Sequence, residues 1–150
     1  MHAKLDARIE STEFALRELI VARLENDPGR LPPHLTQKAQ ERRDAAARRE
    51  PGGQSATSVD LDGALVYLDL RDLQAAVASK STWPDFSQVF ATKELLETRF
   101  TQLSELRNAI RHSHSVSEIA VKDGEAALIW FEQALDAALE GSTVSPAGGG

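Results

Sequence analysis

Apolar residues recur along most of this chain at spacings of three and four, the period of a helix with one buried face. Leu5, Ile9, Leu16, Leu19 and Ile20 draw the first stripe, with Thr12 inside it, and predict a helix over about residues 3–25. Asn26-Asp27-Pro28-Gly29 is a run of helix breakers and stops it. Leu95, Leu96, Phe100, Leu103, Leu106 and Ile110 draw a second stripe, over 92–111. Val121, Leu128, Ile129, Phe131, Leu135 and Leu139, with small alanines between them, predict a third helix over 117–140, where Gly124 marks a kink or a restart.

Between the long helices the pattern weakens. Pro32-Pro33 precede a polar helix over about 34–49, with few large apolar residues to anchor it. Residues 51–60 are loop-forming by composition, and Gly52-Gly53 lacks the strand and Gly-Lys-Ser/Thr context of a phosphate loop. Leu65, Tyr67 and Leu68 allow a short extended stretch. Asp69, with Asp72 three residues on, reads as the cap of a helix over 69–80. Trp83-Pro84-Asp85-Phe86 is expected to be a turn whose aromatics plug the core. The sum is an all-α bundle of four to five helices with a long, partly disordered middle connection, over residues 1–140, followed by a disordered tail over 141–150.

Charged residues complicate two of the stripes. At 100° per residue Arg107 falls inside the apolar stripe of its helix, between Leu103 and Ile110. A guanidinium does not give up its charge, so a buried one requires acceptors or a polar cleft. Asn108 and His112 are an i,i+4 pair on a neighbouring face, and on a straight helix Arg107 and His112 point about 140° apart. They converge only if the helix ends near Arg111, where Ser-His-Ser competes for backbone bonds, or if two chains meet there. On the first helix Glu13 and Arg17 have the spacing of a surface ion pair. Glu13 also borders the apolar face, so it can instead reach a buried cation such as Arg107. Phe14 and Val21, flanked by Arg17, form a second apolar strip that packs on another helix of the chain or marks a subunit interface.

The 150 residues make one domain of ordinary size, able to bury a core. There is no cysteine, which excludes a disulfide scaffold and a thiolate metal site. His112 and His114 lie two apart, on different helical faces, so neither a metal nor another cofactor is expected. No apolar run reaches the length of a membrane span, and the charged start predicts no secretory leader, which together point to the cytoplasm. A net charge of −6 argues against a general nucleic-acid coat. The one basic stretch, with Lys38, Arg42, Arg43, Arg48 and Arg49, has acids interspersed and no aromatic for base stacking. A solvated helix face is the expected reading there, and an RNA-phosphate surface the other.

Arg107-Asn108, three residues (Ala109, Ile110 and Arg111), then His112 and Ser113 resemble the motif of the HEPN superfamily. Two weaker stretches, Glu13 to Ile20 and Tyr67 to Leu73 leading to Trp83 and Phe86, resemble the branch of that superfamily at the C-terminus of a nuclear transcript-surveillance endoribonuclease and in related bacterial proteins. A small residue is more usual at the place of Arg111. The resemblance implies a HEPN-like bundle and a homodimer that brings two motifs together. It also implies metal-independent RNA cleavage in a bacterial toxin or defence system. In that scheme His112 moves the proton of a ribose 2′-hydroxyl, Arg107 stabilises the phosphate charge and Asn108 positions. His114 satisfies a looser spacing of the motif, and Glu13 and Arg17 support it. The alternative the superfamily allows is a non-catalytic dimerisation module, or one that binds a protein partner such as an antitoxin.

Overall fold

The computed structural model describes residues 2–52, 60–112 and 115–143. Among them there is no strand, and the chain is all-α. The helices are α1 (His2–Arg23), α2 (Pro33–Arg49), α3 (Leu61–Leu65), α4 (Leu70–Ala78), α5 (Trp83–Phe90), α6 (Lys93–His112) and α7 (Glu118–Thr143). Seven described helices exceed the expected four to five because two stretches not read as helices, Leu61–Leu65 and Trp83–Phe90, form short ones. The described residues divide between two compact units: Met1–Leu19 with Ser87–Gly150, and Ile20–Phe86.

Local chemistry accounts for most helix ends. After α1, Glu25 and Asn26 take left-handed backbone conformations and the Asn26 amide donates to the Val21 carbonyl, closing the helix. Asp27 then caps a single 3-10 turn (Pro28–Arg30) by accepting from the Gly29 amide. The extended alternative for Leu65, Tyr67 and Leu68 is not adopted, since the Asp60 carboxylate accepts from the Gly63 amide and starts α3. Asp69 and Asp72 form the expected cap in reciprocal form, each carboxylate accepting from the other's amide. Trp83-Pro84-Asp85-Phe86 is not a turn but the start of α5, where a proline costs nothing because early helical amides have no partner. Phe86 is fully buried as expected, whereas Trp83 is half-buried. The 51–60 loop and the 141–150 tail fall largely outside the described residues.

In the Ile20–Phe86 unit, Leu35, Ala39 and Arg43 bury one face of α2 at every fourth position. Two of the basic residues of α2 are engaged within the unit. Lys38 Nζ lies 2.8 Å from Asp72 Oδ1, and Arg42 Nη1 donates to Asp72 Oδ2 at 2.9 Å and to the Tyr67 carbonyl at 2.8 Å. Burial alone would raise the pKa of Asp72, but bonds from Lys38, the Asp69 amide and Arg42 outweigh it and hold the carboxyl below the ordinary aspartate value. Thr82 Oγ1 donates back to the Ala76 carbonyl and ties the start of α5 to the end of α4.

In the other unit α1, α6 and α7 pack their stripes together. Leu5, Ile9 and Leu16 from α1 are buried, as are Leu96, Phe100 and Leu103 from α6 and Ala127, Leu128, Phe131 and Leu135 from α7. Phe100 meets Phe131 edge-on, ring centroids 4.8 Å apart. Gly124 neither kinks nor restarts α7, which runs through it unbroken. A Cβ built there would stand 2.6 Å from Leu106 Cβ, so the glycine exists for close approach of α7 to α6. Phe14 does not pack on another helix: it is 64% exposed.

Two outcomes test these contacts. Gly124→Ala, which stabilises an ordinary helix interior by about 1 kcal/mol, should here destabilise by about 1–3 kcal/mol because Leu106 has to move; a raised urea midpoint would contradict the close approach. Asp72 has a folded pKa below its unfolded one, so its stabilisation is present above the unfolded pKa and disappears as pH falls through the folded pKa. Asp72→Asn should therefore lower stability at neutral pH and flatten its decline between about pH 5 and pH 2, as followed by circular dichroism.

Candidate functional site

Three acidic side chains of α1 and two arginines of α6 meet along the line where the two helices pack. Arg107 Nε is 2.8 Å from Glu13 Oε1, with side chains 22% and 9% exposed. Arg111 Nε lies 3.5 Å from Asp6 Oδ1, and Arg111 Nη2 3.7 Å from Glu10 Oε1. Partners fall in number on α6 as they rise on α1, so the helices run antiparallel. Glu13 therefore makes the longer-range contact that its place beside the apolar face allows. Neither Arg107 Nε nor Glu13 Oε1 makes a well-directed hydrogen bond, although both atoms are buried. The attraction is ionic, strengthened by exclusion of water. Ser104 Oγ, one turn before Arg107, is also buried without a partner.

The rest of the motif faces outward. Asn108 and His112 are exposed, one helical turn apart, and His112 is the last residue of α6. Because α6 is continuous to that point, Arg107 and His112 do not converge within one chain; they remain about 140° apart. The early helix end that would have joined them does not occur. His114 lies outside the described residues, and Arg17 is half-buried on α1. Arg111 is paired with Asp6 and Glu10.

Beside Asn108 the α6–α7 hairpin leaves a groove of about 260 Å³, lined by Glu105, Leu106, Asn108, Ala109, Val116 and Ala120. Ser117 Oγ accepts from the Ala120 amide and caps α7 at its edge. Sequence reasoning passed over Asp6, Glu10, Ser104 and Glu105. The first two had a readable signal, the Asp6/Glu10/Glu13 spacing of four and three that lines acids along one face of α1. Ser104 and Glu105 carried none, because only the packing of α1 and α7 decides which polar residues of α6 are covered.

Among the described residues no group of three side chains is suited to hold a metal, and no helix is long and apolar enough to cross a membrane. The site thus belongs to an all-helical protein whose polar groups are an ion-paired arginine and an exposed asparagine and histidine. Compared with family models, curated proteins and solved structures, the chain matches none.

The ion pair predicts a specific pattern of stability. Arg107→Met leaves a buried carboxylate uncompensated and should cost about 2–4 kcal/mol, whereas Arg107→Met with Glu13→Leu should recover most of it. Urea unfolding of the two single variants and the double variant measures this, and simple additivity would rule out the coupling.

Proposed function

We propose that the protein is a HEPN-type, metal-independent endoribonuclease of a bacterial toxin or defence system, acting in the cytoplasm as a homodimer. The observation that carries this reading is the end of α6, which presents Asn108 and His112 to solvent one turn apart while Glu13 fixes Arg107 on an adjoining face. A reaction that uses both Arg107 and His112 then takes its arginine from one chain and its histidine from a second.

The chemistry follows from the side chains. His112 accepts the proton of a ribose 2′-hydroxyl as that oxygen attacks the adjacent phosphorus. The bond from phosphorus to the 5′-oxygen breaks, and the leaving oxygen takes up a proton. The products are a 2′,3′-cyclic phosphate and a 5′-hydroxyl. Arg107 neutralises charge growing on the non-bridging phosphate oxygens, and Asn108 positions the substrate. With a net charge of −6, the chain has to hold RNA through local contacts.

The Arg107–Glu13 pair also favours a second reading, in which the motif arginine serves helix packing and the domain is a non-catalytic assembly module. The exposed Phe14 fits a surface for a second copy or for a protein partner.

Purified protein should cleave single-stranded or transfer RNA in excess EDTA, leave DNA intact and yield cyclic-phosphate ends. His112→Ala should abolish cleavage with little change in melting temperature, since the side chain is exposed. Arg107→Lys should lose most of the rate. Intact RNA across substrates and conditions, or an EDTA-sensitive activity, would refute the mechanism. Light scattering should find a dimer at tens of micromolar (an order-of-magnitude choice from transient affinities).

A further inference from the structure

We infer that the groove between α6 and α7 is a guanine-binding subsite, so that the RNA taken by this site is single-stranded and carries guanine next to the scissile linkage. The inference rests on the endoribonuclease reading and adds a substrate class to it. Most of its lining is apolar: Leu106 and Ala109 from α6, Val116 from the connection and Ala120 from α7. Such a surface suits the face of an unstacked base, since single-stranded RNA is read through splayed bases and their edges. The polar lining is confined to one helix, where Glu105 and Asn108 are exposed at i,i+3, the spacing that puts two side chains on one face.

The identity of the base follows from what those two groups offer. A carboxylate only accepts hydrogen bonds, whereas an amide both donates and accepts. Guanine is the one RNA base with two adjacent donors on its pairing edge, N1–H and N2–H, followed by the O6 acceptor. Glu105 accepts from the two donors, and Asn108 donates to O6. Adenine and cytosine each set one exocyclic amine beside a bare ring nitrogen, which a carboxylate repels. Uracil sets its single N3–H between two carbonyl oxygens, with the same result. His112 stands one turn beyond Asn108 on α6, so a base held here brings its ribose phosphate toward the end of the helix that carries the proposed base.

The groove can be tested without turnover. Guanosine 3′-monophosphate added to the intact protein should shift the NMR amide resonances of Leu106, Ala109 and Ala120 and the side-chain amide of Asn108. Adenosine, cytidine and uridine 3′-monophosphates should bind about fivefold or more weakly. Glu105→Gln should remove the preference for guanosine, and Ala120→Leu, filling the groove from the other helix, should remove binding with the fold intact by circular dichroism. Equal shifts with all four nucleotides, or none with any, would overturn the inference. Guanosine-selective shifts without RNA cleavage would keep the subsite and reject the endoribonuclease. Cleavage without base preference and with a silent groove would do the reverse.

Discussion

A permanent positive charge inside an apolar stripe is the constraint around which α1 and α6 pack. Arg107 faces the helix interface, and only a carboxylate from the opposing helix makes that position tolerable. Glu13 supplies it, and Asp6 and Glu10 extend the same ladder to Arg111. A slide of one helix along the other would leave Glu13 or Arg107 buried without a counter-charge. Apolar side chains alone tolerate such a slide far better, so the ion pairs define the register.

The α6–α7 hairpin is set by a different force. Gly124 removes the side chain that would hold the helices apart, and Leu106 fills the space. Phe100 and Phe131 then interlock in the core, with Phe90 and Trp130 around Phe131. The two packings take the inner faces of α6 and leave Asn108 and His112 on the remaining one. The exposed groups thus stand on a helix fixed by its neighbours, which is how a rigid scaffold presents reactive side chains.

Part of the charge of the Ile20–Phe86 unit is used internally. Lys38 and Arg42 converge on Asp72, itself part of the cap that begins α4. Two residues of the basic stretch therefore act as counter-ions for a buried carboxylate.

The three long helices were legible in the sequence because an amphipathic period needs only local order, and their ends were legible where breakers or caps are local too. Asn26 to Gly29 and the Asp69/Asp72 pair are of that kind. The short α3 and α5 were not, since five or eight residues hold too few turns for a period to emerge. The sequence also exposed the anomaly of Arg107 and allowed Glu13 as its partner, because both lie beside apolar stripes. Tertiary structure chose between that partner and a surface pair, turned Gly124 from a kink into a contact, and left Phe14 uncovered. Each of those depends on which helix lies opposite, a relation between residues distant in the chain, and helical periodicity carries no information about it.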